Sequence, residues 1–252
     1  MKKIVLSVAA LFLASGIGAA GAADLPAKAA PAPVPEVYDF TGFYAGGGIG
    51  YVYENYDGSF VNPPPGSWNI IQDTAIAFAK VGAQYQFSSN IVLGVEGQLS
   101  SILGDNGGSD CNPPALCAAG GNMTSNFVNN ILSAGARGGF VWGRWMPYVT
   151  GGFAETRVDN FLNLPNGQYE TARTSHEGYY IGSGFDWMAM PHVLLTIEYR
   201  HYEFNSQNAT PVNAFTNVAV PADAWTIKPR ADQVTVGLAW LFNWAGPVVA
   251  KY

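Results

Sequence analysis

The chain has 252 residues, a formal net charge of −6 and 12% charged residues, about half the charged fraction of an average soluble domain. This length suits a single all-β domain, and the acidic balance argues against nucleic acid as a partner, because nucleic-acid binding calls for a basic surface. Glycine (30 residues) and aromatic residues (13%) are abundant, which is typical of a sheet with one face in lipid and glycine where side chains crowd.

The N-terminus has the three parts of a signal peptide. Residues 1–3 include two lysines, residues 4–14 are mainly apolar, and small residues follow up to Ala23, where we place the cleavage site. A membrane anchor is the alternative, but serine and glycine interrupt the apolar run before it is long enough to span a bilayer. We therefore predict a signal peptide over 1–23 and an extended Pro/Ala-rich linker over 24–38.

The rest of the sequence alternates apolar and polar residues with a period near two, which predicts β-strands. It contains no run of about 18 apolar residues, the length that a transmembrane helix needs. Only helices and closed barrels satisfy their backbone groups inside lipid, so a membrane-spanning version of this chain has to be a barrel. Eight strands are predicted, at 40–53, 74–86, 91–102, 125–142, 146–158, 173–187, 192–204 and 228–242.

The connections between these strands alternate in length. The long ones are 54–73, 103–124, 159–172 and 205–227, and the short ones are 88–90, 143–145 and 188–191. A soluble sandwich has no reason to alternate in this way, whereas outer-membrane barrels combine short periplasmic turns with long extracellular loops. The sequence thus predicts an all-β fold, an eight-stranded antiparallel transmembrane β-barrel over 39–242. An even strand count leaves the linker and a tail over 243–252 in the periplasm.

Each strand has an apolar and a polar face. In the seventh predicted strand, Leu195 and Ile197 alternate with Glu198 and Arg200. Aromatic residues near the strand ends are predicted to form girdles at the membrane interfaces. These are Trp142, Trp145, Tyr148, Trp187, Tyr199, Trp240, Phe242 and Trp244.

The last strand ends in a pattern typical of barrel-assembly signals: polar, any, Gly, any, any, hydrophobic, any, aromatic. Its defining residues are Thr235, Gly237, Trp240 and Phe242. With the ADLPAKA segment at 23–29 and the FTGFYAGG segment at 40–47, this ending makes the chain resemble the alphaproteobacterial porin-family outer-membrane proteins with a small OmpA-like barrel. The resemblance implies outer-membrane lipid and the barrel-assembly machinery as partners, and a Gram-negative outer membrane as the location.

Five charged residues are predicted to face the barrel interior: Lys80, Glu96, Arg137, Glu198 and Arg200. One hypothesis is a selective pore or gate. The other is a packed salt-bridge plug, which we favour because side chains can fill an eight-stranded barrel and both signs of charge are present.

Other reactive residues point to structural roles. Cys111 and Cys117 lie in a predicted loop of an exported chain, so we predict a disulfide; a metal site would lack nearby ligands. Ser175, His176 and Glu177 are adjacent in a strand and cannot converge on one substrate. The sequence therefore predicts no catalytic residues and no cofactor.

The resulting functional hypothesis is a structural and surface-display barrel whose loops bind external ligands of unspecified chemistry. A narrow porin, formed by monomers or by a homo-oligomer, is the alternative, and a lipid-modifying enzyme is a remote third.

Overall fold

The computed structural model describes residues 38–61, 66–104, 108–110, 122–164 and 169–243. The predicted signal peptide, the linker except for Tyr38, both cysteines and the tail beyond Asn243 lie outside these ranges. Among the described residues, none of the helical structure has the length and apolar character needed to cross a bilayer.

Within the described ranges the chain is almost entirely β-structure, with one short 3-10 helix, η1, at Pro221–Asp223. The strands are β1 (Gly42–Phe60), β2 (Ser67–Gln86), β3 (Ile91–Ile102), β4 (Gly108–Asp110), β5 (Asn122–Phe140), β6 (Trp145–Asn163), β7 (Tyr169–Met190), β8 (Val193–Phe204), β9 (Gln207–Ala209), β10 (Val212–Asn213) and β11 (Trp225–Phe242).

The eight long strands close into an antiparallel ring, because β11 pairs with β8 on one side and β1 on the other. A path that follows paired residues around the ring starts at Trp240 and returns to β11 at Arg230, ten residues away. The path passes through one paired residue on each of the other strands in turn: Ala45, Val81, Gly97, Ala134, Phe153, Tyr179 and Glu203. Eight strands with this stagger tilt by about 40° and enclose an interior that side chains can fill.

Three tight turns join neighbouring strands at one end of the barrel. The first residue of β1 and the last residue of β11 lie at this same end. Asn90, Gly143 and His192 adopt left-handed backbone conformations there, with φ of 62°, 60° and 70°. Such conformations let the chain reverse within a few residues, and glycine and asparagine adopt them at low cost. The predicted short turns between these strands are confirmed.

The half of the barrel nearest these turns has an apolar outer face. Outward side chains in its middle include Val81, Val95, Leu132, Val149, Ile181, Val236 and Leu238. Aromatic residues border this band on the side of the tight turns, which we call its lower rim. They include Phe43, Tyr85, Phe140, Trp145, Trp240 and Phe242. The upper rim includes Tyr51, Phe153, Tyr179 and Tyr199. An apolar band between two aromatic girdles is the surface that a lipid bilayer requires.

Above the upper rim, polar residues lie on the outer face of the strands and mainly apolar residues on the inner face, which reverses the arrangement in the lipid-facing half. In β11 the outward residues change from Val236 and Val234 to Asp232 and Arg230, while Trp225 becomes an inward residue with no exposed surface. The rim tyrosines lie at this boundary and contact the polar outer face above it. Tyr179 donates a hydrogen bond to Glu203 at 2.9 Å, and Tyr199 donates one to Asp232 at 2.5 Å. The upper half therefore has a polar exterior and a largely apolar interior, in which a few polar side chains such as Glu54 and Asn160 are also buried.

This exchange explains why several predicted strands are too short. β1 continues to Phe60 instead of ending at residue 53, and β2 begins at Ser67 instead of residue 74. Similarly, β6 and β7 together occupy most of the predicted loop 159–172. The apolar residues change faces where water replaces lipid, but hydrogen bonding between strands continues without interruption.

Candidate functional site

Six buried charged side chains meet in the lumen at the level of the lipid-facing band. Three are cationic and three are anionic, and each is at most 4% exposed. They are Lys80 on β2, Glu96 on β3, Arg137 on β5, Asp186 on β7, and Glu198 and Arg200 on β8. We call this set the central network. Its charges balance, which a buried cluster needs in order to be stable.

Glu96 lies at the centre of the network. Its carboxylate is 3.7 Å from Lys80 Nζ and 3.4 Å from Arg137 Nη1, and it also pairs with Arg200 Nη2. Tyr44 completes the shell by donating its hydroxyl to Glu96 Oε2 at 2.6 Å. The three cations converge on Glu96 from three different strands, so their contacts tie distant parts of the lumen wall together.

Arg137 spans from Glu96 to a second carboxylate. Its Nη2 lies 2.7 Å from Asp186 Oδ2, and Thr196 donates a hydrogen bond of 2.8 Å to the other Asp186 oxygen. The guanidinium also lies over the Tyr148 ring, 3.8 Å from the centroid. Two carboxylates and an aromatic ring thus contact this cation.

Arg200 completes the other side of the network. It pairs with Glu198 through Nε and donates to Ser133 Oγ at 2.9 Å, while its guanidinium lies 4.7 Å from the Tyr180 ring centroid. Tyr148 donates its hydroxyl to Glu198 at 2.6 Å. The network is therefore a continuous set of charge-assisted hydrogen bonds, which are stronger than neutral ones.

Glycines on the inner wall make room for the network's tyrosines. A Cβ atom on Gly82 would lie 2.3 Å from the Tyr44 ring, and one on Gly135 would lie 2.7 Å from the Tyr180 hydroxyl. Contacts this short cannot exist between real atoms, so a larger residue would displace the ring. Gly82 and Gly135 are thus two of the glycines that the crowded interior requires.

Apolar clusters lie on both sides of the central network. The cluster on the turn side includes Phe40, Met146, Met188, Leu194 and Leu241. The cluster in the upper half includes Tyr56, Trp68, Ile70, Phe204, Trp225 and Ile227. Side chains thus fill the lumen in three successive layers, apolar, charged and apolar, because each layer contributes residues with almost no exposed surface.

The structure brings together all five residues predicted as lumen charges. Asp186 completes the network and was missed, although it alternates with the outward Phe185 and therefore shares the inward face with Gly184. Tyr148 was predicted in an interfacial girdle, which is wrong: it is 4% exposed and faces the lumen, in phase with Met146. Its neighbour Trp145 does lie outward in the girdle.

The residues of the predicted assembly signal occupy the two faces of β11. Trp240 and Phe242 point outward, 50% and 55% exposed, whereas Thr235 is buried inside. Gly237 also faces the lumen, where a Cβ atom would lie 2.6 Å from the Phe78 ring. The glycine of the motif thus has a packing reason of its own, and the role of the motif in assembly stays a prediction.

Other sequence candidates do not assemble into a reactive site. Ser175 and Glu177 are exposed on the outer face, while His176 is buried and bonded to Thr174 Oγ1 (2.7 Å) and Asn205 O (2.9 Å). Within the described ranges, no three His, Cys, Asp or Glu side chains converge to hold a metal ion. The predicted pair Cys111 and Cys117 lies outside those ranges.

Comparisons with known proteins agree with this architecture. The model of a family described as outer membrane protein beta-barrel domain matches residues 10–242. The 31 kDa outer-membrane immunogenic proteins of Brucella melitensis and Brucella suis are each 24% identical over 230 residues, covering 84% of this chain and 91% of theirs. The crystal structure of the outer membrane protease OmpT from Escherichia coli superimposes with a TM-score of 0.50 at 12% identity, covering 83% of this chain and all of that one. That likeness concerns the fold alone.

Proposed function

We propose, from the premise that this chain belongs to the outer membrane protein β-barrel family, that it is a closed barrel with a structural and surface-display role. The family places it in the outer membrane of a Gram-negative cell. Its strands extend well above the lipid-facing band and carry loops at their upper ends. In this proposal the barrel anchors those loops at the cell surface, and solutes do not pass through it.

The filled lumen is the observation that carries the proposal. Six charged groups, each at most 4% exposed, occupy the centre of the barrel, with apolar layers on either side. An aqueous pore needs polar walls that face water, and an eight-stranded barrel has no spare width once side chains meet across it. The packed network therefore favours closure over conduction.

The relatives support display at the surface. The Brucella proteins are named for their immunogenicity, a property that fits a protein with external loops. We extend this exposure to the present chain, whose upper half has a charged, water-facing exterior. The loops are then the regions that contact external molecules.

A non-enzymatic role is part of the proposal. Ser175 and His176 point to opposite faces of β7, so they cannot act on one substrate. OmpT is named as a protease, but a likeness at 12% identity extends to the fold and not to the chemistry.

Conductance measurements test the proposal. Purified barrel in planar lipid bilayers should give no stable open level. The double variant Glu96→Ala with Arg200→Ala keeps the network's charge balance while removing side-chain volume, so it serves as the opened control and should conduct. A stable conductance from wild-type monomers would refute closure and assign a transport function instead.

A further inference from the structure

Residues 38–41, which precede β1, lie against the end of the barrel that has the tight turns; we call them the strap. Two glutamines near the end of β2 hold its main chain. The Phe40 N–H donates to Gln86 Oε1 at 2.9 Å, and Gln84 Nε2 donates to Phe40 O at 2.8 Å. The Gln86 N–H in turn donates to Thr41 Oγ1 at 3.1 Å. Three hydrogen bonds therefore fix this part of the strap to β2.

The first residue of the strap contacts the turn between β5 and β6. Arg144 Nε donates to the Tyr38 hydroxyl at 2.6 Å, and the guanidinium carbon lies 5.1 Å from the centroid of the Tyr38 ring. Arg144 is itself held in place, because its carbonyl oxygen accepts the Met188 N–H at 2.9 Å. In the order of the eight long strands, the β5–β6 turn lies opposite the seam between β1 and β11. The strap and these two side chains thus cross the barrel end.

The middle of the strap is buried. Phe40 has no exposed surface, and Thr41 is 3% exposed. Phe40 belongs to the apolar cluster on the turn side, and Tyr38 packs against the same cluster. The other members of this cluster include residues from β6, β7, β8 and β11, namely Met146, Met188, Leu194 and Leu241. The strap therefore contributes a core side chain to the barrel although it belongs to none of the strands.

The partners of the strap lie on both sides of the seam between β1 and β11. Two of them are on β2, and Asn243, the residue after β11, donates from Nδ2 to Asp39 O at 3.4 Å. In an open sheet β2 and β11 would lie near opposite edges, because β11 meets β1 only where the ring closes. The pairing of Phe43 with Phe242 brings these edges together at the turn end. The complete set of strap contacts can therefore form only after the seam has closed.

We infer that the strap is a lock, which docks after the β1–β11 seam has closed and then slows the reopening of that seam. A contact that forms after the rate-limiting step of folding slows unfolding and leaves the folding rate unchanged. The strap thus gives the inserted barrel a long lifetime without being needed for assembly. The lock acts at the turn end, and it does not depend on whether the lumen conducts.

Folding and unfolding rates in lipid vesicles, measured by tryptophan fluorescence after urea dilution or urea addition, test this order of events. Phe40→Ala should unfold about 100-fold faster, because it truncates a fully buried phenylalanine, while its folding rate should change by less than about twofold. The milder variant Tyr38→Phe loses only the hydroxyl that accepts from Arg144 and should unfold about threefold faster. The matched control Met146→Ala truncates a fully buried side chain of the same cluster on β6. It should slow folding as well as speed unfolding, because β6 pairs with its neighbours before the ring closes.

Amide hydrogen exchange in the membrane-inserted protein locates the effect. In Phe40→Ala, the amides of β1 and β11 within 43–47 and 238–242 should exchange at least about tenfold faster than in the wild type, because the seam opens locally more often. The amides of β6 and β7 around Val149 and Ser183, which pair with each other on the opposite side of the ring, should keep their wild-type exchange.

Three results would overturn the inference. One is an unfolding rate of Phe40→Ala equal to that of the wild type. Another is a folding rate of Phe40→Ala that falls as much as its unfolding rate rises, or a complete loss of insertion, since a segment that docks last cannot be needed for assembly. The third is exchange that accelerates equally in β6 and β7, because Phe40 would then stabilise the whole barrel and not the seam.

Discussion

Removing the charge of Arg200 should destabilise the barrel strongly. In the Arg200→Met variant the apolar part of the side chain is largely preserved, but three carboxylates face two cations. Glu198 loses its cationic partner and keeps only the hydroxyl of Tyr148, while Glu96 still has Lys80 and Arg137. All these groups are almost fully buried. Breaking a buried ion pair by removing one partner costs about 3–5 kcal/mol.

The charge-balanced double variant, Arg200→Met with Glu198→Gln, separates charge imbalance from lost packing. It leaves two carboxylates and two cations, and the glutamine can still accept the Tyr148 hydrogen bond. We expect it to recover about 2 kcal/mol or more relative to Arg200→Met alone, because neighbouring groups in one network are not additive.

Urea-induced unfolding of the protein in lipid vesicles, followed by tryptophan fluorescence, measures these free energies. Electrophoretic heat modifiability serves as the check that each variant folds and inserts. A loss below about 1 kcal/mol in Arg200→Met, or a double variant whose loss equals the sum of its single changes, would refute the account of the central network.

Three further predictions concern the wall of the barrel. Leu238→Arg places a charge in the lipid-facing band and should cost about 2–4 kcal/mol in vesicle unfolding, whereas Thr226→Arg on the upper half of the same strand should cost less than about 1 kcal/mol; equal costs would contradict the proposed boundary. Gly82→Ala should cost about 1–3 kcal/mol through its clash with a tyrosine ring, and an unchanged unfolding midpoint would count against a filled lumen. Phe242→Asp should sharply reduce insertion, while deletion of 243–252 should not; the opposite result in a membrane-fractionation assay would move the assembly signal to the C-terminus.

Local chemistry made much of this protein predictable. Within β8, the alternation of Leu195 and Ile197 with Glu198 and Arg200 places the charges on one face, whatever the rest of the chain does. The alternating loop lengths then select a membrane barrel, and its narrow width predicts that the inward charges meet. Each of these steps depends on residues that are close in sequence.

The tertiary structure decided where the strands end and which groups complete the network. Apolar side chains point outward where a strand lies in lipid and inward where it lies in water. At the upper rim the alternation of apolar and polar residues therefore shifts by one position, and in the sequence this shift looks like the end of a strand. Asp186 reaches Arg137 across the lumen, 49 positions away and two strands apart. The register between β5, β6 and β7 sets that contact, because the pairing of neighbouring strands determines which inward side chains lie at similar heights.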